Sequence, residues 1–359
     1  MSENPYLSLD ETAFWAPAVA RRDMFEIEGL WKSPFSITAR TKIATFGSCF
    51  AQHFSRALLA RNFAWLNAEP APALMSPELA KKLNYGVFSA RTGNIYTASL
   101  LRQWTEWALG VKPSPPICWE MEGRFHDPFR PAIEPGGFGS EQEMLALRAG
   151  SIAAFRKALL TCDLFVFTLG LTESWWDAEG GFEYPMCPGT VAGTFDPQRH
   201  VFVNQDYAAI RQALGETIRM IRKARGTGPR VLLTVSPVPL TATNSGEHVL
   251  VATMGSKSIL RAVAGDIARR IPAVSYFPSY EIIVSHPFRA RFFEQNLRGV
   301  RQEGVEHVMA NFFAGLGDGT LANPSAMPAP ERTEAVPETD PDDDPVCEEE
   351  LLKAFGPAR

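Results

Sequence analysis

The chain has 359 residues, 45% of them hydrophobic, with 35 basic and 40 acidic side chains and a formal net charge of -5. That supplies enough apolar material for one large domain or two small ones. The charge is uneven, because residues 331–350 hold ten acids against one base, so the remainder is close to neutral and carries no basic footprint for nucleic acid.

Residues 1–40 are irregular and aromatic (Tyr6, Phe14, Trp15, Phe25, Trp31, Phe35) and read as an N-terminal arm packed on the domain. From Thr41 the chain becomes ordered. Ile43, Thr45 and Phe46 suit a buried strand. Gly47 breaks it, and the segment from Phe50 to Asn62 continues with apolar residues at helical spacing. Ser48 and Cys49 therefore fall on a sharp strand-to-helix turn at the carboxyl end of a strand, where open α/β sheets bind ligands. A thiol there faces the positive end of a helix, which favours thiolate over thiol. The bland alternative for Cys49 is a small residue packed under the sheet.

Residues 66–83 are rich in Pro and Ala, and Asn84–Thr97 read as a loop with a Gly93-Asn94 turn signal. Thr97 can cap a helix that stops near Gly110. Residues 111–140 are loop-rich with many prolines, which is long for a connection in a compact domain. After this the pattern alternates. A helix over Glu141–Leu160 leads to a strand over Asp163–Leu169, and an insertion over Gly180–Val203 precedes a helix over Asp206–Ala224. Arg230–Val235 reads as a third strand, Lys257–Arg269 as a helix, Ala273–Phe277 as a fourth strand and Glu303–Ala314 as a last helix. Strands separated by helices predict an α/β fold whose sheet is mostly parallel. Residues 317–349 have few large apolar side chains and are expected to be disordered. The terminal CEEELLKAF can form one amphipathic turn or two, and the acidic tail is a candidate docking site for a partner protein.

Five cysteines form no CxxC pair and are odd in number. With no signal-peptide pattern at the start, they predict a reduced, cytoplasmic chain. Asp163 interrupts the longest apolar run, so no membrane span is expected. The histidines have no ligand-like spacing, so no metal is expected.

The run GSCFA at Gly47–Ala51, with NYGVFSARTGNIYT (Asn84–Thr97), TLGLTESW (Thr168–Trp175), TVSPVPL (Thr234–Leu240) and YFPSYEII (Tyr276–Ile283), resembles the GSCFA-domain family, a branch of the SGNH/GDSL hydrolase-like superfamily. The resemblance covers roughly the first 315 residues. It implies a three-layer α/β/α sandwich over 41–315, followed by a tail over 316–359.

It also implies site roles. The superfamily's Gly-Asp-Ser block falls on Gly47, Ser48 and Cys49, which makes Cys49 the nucleophile and Ser48 the runner-up. A thiolate attacks acyl carbonyls readily, and donors must be aimed at the developing oxyanion. The resemblance places those donors at the Cys49 N–H, at a block-two glycine (Gly86 or Gly93), and at Thr172 in the Gly170-Leu171-Thr172-Glu173 run, with Asn94 as the alternative. Glu173 could orient an imidazole. The family's late acid and histidine fall on Asn296 and Gly299, neither of which can take a proton. His286 is then the candidate base, with His126 beside Asp127 a further possibility. Lys257 could pair with a phosphate or carboxylate, although a solvated lysine is the default. Trp175 and Trp176 could stack on a sugar or acyl chain, although core packing is favoured for at least one. The activity implied is an ester hydrolase or O-acyltransferase acting on a small-molecule or carbohydrate acyl substrate. It needs no cofactor beyond an acyl-CoA donor. The alternative is an SGNH-fold binding protein that has lost its base.

Overall fold

The computed structural model describes residues 4–317 and 348–356. Residues 318–347, most of the stretch expected to be disordered, lie outside the described residues. The chain divides into two compact units. One joins the residues up to Thr38 to those from Phe277 onward; the other is Ala39–Tyr276 with the terminal segment.

The larger unit is built on a four-stranded sheet in the order β1 (Ile43–Gly47), β4 (Leu164–Leu169), β8 (Arg230–Val235), β9 (Val274–Tyr276). All three pairings are parallel, with Ile43 opposite Leu164, Leu164 opposite Arg230 and Val231 opposite Val274. Every residue of β1 and β4 is buried, as expected for strands covered on both faces. The free edge of β1 is also covered. Ala64 and Leu66 bond to Ile43, Ser89 bonds to Thr45 and the Ile95 amide bonds to Gly47. These bonds leave no open edge on that side of the sheet.

The helices follow the predicted alternation: α1 (Ala51–Ala60), α2 (Pro77–Lys82), α3 (Ala98–Ala108), α4 (Glu141–Thr161), α5 (Tyr207–Arg225) and α6 (Val249–Arg270). Thr97 caps α3 as expected, its hydroxyl accepting from the Leu100 amide at 3.0 Å. Phe155 of α4 meets Phe46 of β1 edge-on at 4.8 Å, and Trp104 of α3 lies 6.0 Å from Phe155. These rings close the core on one face of the sheet.

Two regions read as loop or insertion are structured. Trp119–Met121 (β2) and Arg124–His126 (β3) form a hairpin inside the long connection. Glu173–Asp177 (β5), Phe182–Tyr184 (β6) and His200–Asn204 (β7) form a small antiparallel sheet in the order β6-β5-β7. Buried Asp177 holds that sheet together by accepting from the Gly180 amide at 2.7 Å, Tyr184 Oη at 2.9 Å and Arg199 Nε at 2.6 Å.

The smaller unit carries short helical turns at Pro5–Ser8, Glu11–Ala13, Ala16–Ala20 and Met24–Glu26, then α7 (Ser279–Val284) and α8 (Gln302–Ala314). Asn4, Asp10 and Asp23 accept amide bonds at the starts of the first, second and fourth of these turns. Trp31 stacks on Phe312 at 5.5 Å and meets Phe277 edge-on at 5.2 Å. A Cβ on Gly315 would lie 2.4 Å from the Trp31 ring, so glycine is needed for the helix end to approach that ring. Tyr6, Phe14 and Trp15 remain exposed. The terminal Glu348–Phe355 is one short 3-10 helix with Leu351 and Phe355 exposed.

Candidate active site at the end of the first strand

The turn after β1 is set by contacts that leave no room for side chains. Gly47 has φ +130, and a Cβ there would lie 2.3 Å from the Thr168 carbonyl oxygen. Only glycine fits this backbone and this approach. The Ser48 amide donates to that same carbonyl at 3.0 Å, and the Gly47 carbonyl accepts from the Ile95 amide at 2.9 Å. At the end of β4, a Cβ on Gly170 would lie 2.9 Å from Ser48 Cβ and 3.2 Å from the Tyr96 carbonyl. The Tyr96 carbonyl in turn accepts from the amides of Gly170 and Leu171. Gly47, Ser48 and Gly170 are therefore brought together, with Ile95 and Tyr96 forming a strap across them. Asn94, buried at the head of that strap, belongs to the same neighbourhood.

Ser48 is buried, and its hydroxyl has no hydrogen-bond partner among the described residues. A buried polar group of that kind is uncommon and points to a ligand, a water or a catalytic role. Cys49, 5% exposed, directly precedes Phe50, the N-cap of α1, and so sits at the positive end of that helix. Burial holds the other described thiols toward the protonated form. Burial pushes Cys162 up to about 12 and Cys187 up to about 11, and burial also raises Cys118.

The two block-two candidates separate. Gly93 precedes the strap, whereas Gly86 is exposed, with nothing within 4 Å of a Cβ built there. Thr172 is fully buried, but its hydroxyl proton goes to Asn204 Oδ1 at 2.7 Å and its amide donates to Ser256 Oγ at 3.2 Å. The partner that sequence reasoning missed is Asn204, an exposed residue delivered from β7. No local pattern could have shown this, because β7 arrives from 32 residues away.

Glu173 accepts from the Thr243 hydroxyl and the Asn244 amide and so closes the loop after β8. Lys257 is not a solvated residue opening a helix. It lies inside α6, 1% exposed, with Nζ 2.7 Å from the Gly170 carbonyl. α6 starts eight residues earlier than expected, which turns Thr253, Ser256 and Lys257 toward Leu240, Thr172 and Gly170. Trp175 and Trp176 are both half-buried: Trp175 packs edge-on to Phe195 at 5.5 Å, and Trp176 Nε1 donates to Ser174 Oγ at 2.9 Å.

The proposed bases fare unevenly. His126 and Asp127 are not a dyad. The Asp127 carboxylate is held by Arg130 Nε at 2.8 Å and Arg148 Nε at 3.2 Å, while His126 Nδ1 is buried without a partner. His286 belongs to the smaller unit, where it is exposed and stacks on Trp15 at 5.3 Å. Asn296 is spent on local structure, its side chain accepting the amides of Arg298 and Gly299, each at 2.8 Å. That closed turn accounts for the amide side chain at position 296. His53 on α1 is buried against Phe50, and burial with nearby Arg56 pushes it down to about 3, so its imidazole is neutral. Among the described residues no group of three His, Cys, Asp or Glu side chains could hold a metal ion, and no helix is long and apolar enough to cross a membrane.

The family model of the GSCFA family matches residues 42–312. No curated protein and no solved structure gives a match.

Proposed function

Because the chain belongs to the GSCFA family, we propose that it is an acyl-transfer enzyme of SGNH type, an ester hydrolase or O-acyltransferase, acting through Cys49. The observation that carries this reading is the buried, partnerless Ser48 hydroxyl on a glycine-locked turn, beside a thiol at a helix N-terminus. In the first step the Cys49 thiolate adds to the carbonyl carbon of an ester or thioester. The oxyanion is held by the Cys49 amide and by the loop around Gly93 and Asn94 that leads into the strap. Collapse expels the alcohol or thiol, which takes up a proton, and leaves a thioester on Cys49. Water or an acceptor hydroxyl then attacks, giving a free acid or a new ester and restoring the thiol. A thiolate at a helix start needs less help from a base than a serine does. The substrate is a small molecule or carbohydrate ester by analogy with the superfamily, an acyl-CoA serves as donor in the transfer version, and the compartment is the cytoplasm.

The test is peptide mapping after brief exposure to an activated acetyl ester and, separately, to acetyl-CoA. Wild type, Cys49→Ala, Ser48→Ala and His286→Ala are compared. Rapid label confined to Cys49, over Cys118, Cys162 and Cys187, is expected. Slower label in His286→Ala would make that imidazole the base. Label on Ser48 would move the nucleophile by one residue. A second reading, a binding protein on the same fold, is favoured by the Asn296–Gly299 turn standing where a base is expected. It predicts no selective label at either residue in folded protein.

A further inference from the structure

The chemistry above leaves one wholly buried carboxyl without a task. Glu183 sits in the middle of β6 with no exposed surface. Gln103 of α3 clasps its backbone, accepting from the Glu183 amide at 2.8 Å and donating to its carbonyl at 2.9 Å. Its side chain accepts from the Thr97 hydroxyl through Oε1, and Oε2 has no partner among the described residues. Thr97 directly follows Tyr96 in the strap over Gly47 and Gly170. A second branch runs from Thr97 to Ser99 at 3.1 Å, from Ser99 to Gln205 Nε2 at 2.6 Å, and from the Gln205 amide to the Thr172 carbonyl at 2.8 Å. Buried bonds thus lead from one carboxyl to both walls of the candidate site.

We propose that Glu183 is a positioning residue whose protonation state, relayed by Thr97, sets the strap over Gly47 and Gly170 and thereby the reactivity of Cys49. This rests on the reading of Cys49 as the reactive group.

The physical basis is the mismatch at Oε2. Burial pushes Glu183 up to about 7, with Ser99, Thr97 and Arg102 acting in the opposite direction. The other ionisable groups around β6 are already engaged. Asp177 on β5 is held by Arg199 and Tyr184, His200 on β7 packs on Tyr184, and Asp127, near Phe129 on the loop facing β6, is matched by Arg130 and Arg148. A neutral carboxyl tolerates this site. An ionised one leaves a charged oxygen without a donor, a state that the surroundings relieve by admitting water or shifting the hydroxyls that touch it. The strap through Thr97 is the element so moved.

The experiment measures iodoacetamide alkylation of Cys49 by peptide mapping across about pH 5 to 9, bracketing the carboxyl and thiol ranges. Full-length wild type, Glu183→Gln and Thr97→Val are compared, with circular dichroism at each pH. Wild type should show a severalfold rise near neutrality on top of the thiol's own titration, and Glu183→Gln should lack it. Thr97→Val removes the relaying bond, so the rise should be lost there as well. A wild-type profile with no such rise, or a rise that persists in Glu183→Gln or in Thr97→Val, would each overturn the proposal. Should the glutamine variant not fold, the Thr97→Val profile decides. Alkylation does not depend on acyl chemistry. A pH step without acyl label would sink the acyl-transfer reading alone, and acyl label with a flat profile would sink this one alone.

Discussion

Asp127 and Glu183 are both wholly buried in the larger unit, yet they are matched in opposite ways. Asp127 faces Arg130 and Arg148, and takes the Phe129 amide at 3.0 Å as well. Arg130 reaches on to Ser151, which bonds Glu69, and Arg148 donates to the Pro115 and Ile117 carbonyls. That cluster ties the long 111–140 connection to α4. Glu183 has the Thr97 hydroxyl on one oxygen and no hydrogen-bond partner on the other among the described residues. A buried carboxylate clasped by two guanidinium groups is a fixed clamp, because its charge is compensated. One that meets only hydroxyls has its pKa raised by burial, because no cation compensates the charge.

The comparison can be broken first at the clamp. Asp127→Asn should destabilise by about 3–5 kcal/mol, the range for removing one member of a buried ion pair and stranding its partners, read as a fall in urea midpoint with little change in slope. A loss near zero would mean that the arginines find other acceptors and that the clamp is not the distinction drawn above.

At Glu183 the effect should depend on pH. Its folded value is raised from 4.5 to about 7, so in that window the folded chain holds a proton that the unfolded chain has released. Stability therefore falls as pH rises through the window and levels off above it. The loss is on the order of 3 kcal/mol. Glu183→Gln should flatten this slope in urea titrations run at successive pH values. An equal slope in the variant would assign the pH dependence to other groups.

Gly170→Ala sharpens the comparison from the site's side. Its methyl would meet Ser48 Cβ at 2.9 Å, costing about 1–3 kcal/mol as overpacking does and slowing Cys49 labelling. Unchanged labelling would separate Gly170 from the site. The smallest effect should come from Thr97→Ser, which keeps both the cap and the bond to Glu183. It should cost less than about 1 kcal/mol, below the cost of losing a cap altogether, and leave the Cys49 pH profile unmoved.

Much of the framework was legible in advance where the signal is local. Strands rich in β-branched and aromatic residues alternate with helical periodicity, and the ends of α3, α4, α5 and α8 fall within a residue or two of expectation. The Gly47–Cys49 turn and the Thr97 cap depend on neighbours in sequence, so they too could be read. The small sheet of β5, β6 and β7 was missed because its strands are short and its pairing spans the Gly180–Val203 insertion. Glu173, Thr172 and Lys257 read from the sequence as exposed or aimed groups, but each finds a partner between 32 and 87 residues away.

What the sequence by itself determined is the α/β class, the family and the turn where chemistry is expected, since periodicity, turn residues and a short motif are properties of contiguous stretches. Only the tertiary structure decided which polar groups are used up. Thr172 gives its proton to Asn204, Asp127 belongs to two arginines, Asn296 closes a turn, and Glu183 is left half-satisfied. Whether a polar atom is matched depends on what the fold brings against it from elsewhere in the chain, and burial sets the cost when nothing arrives.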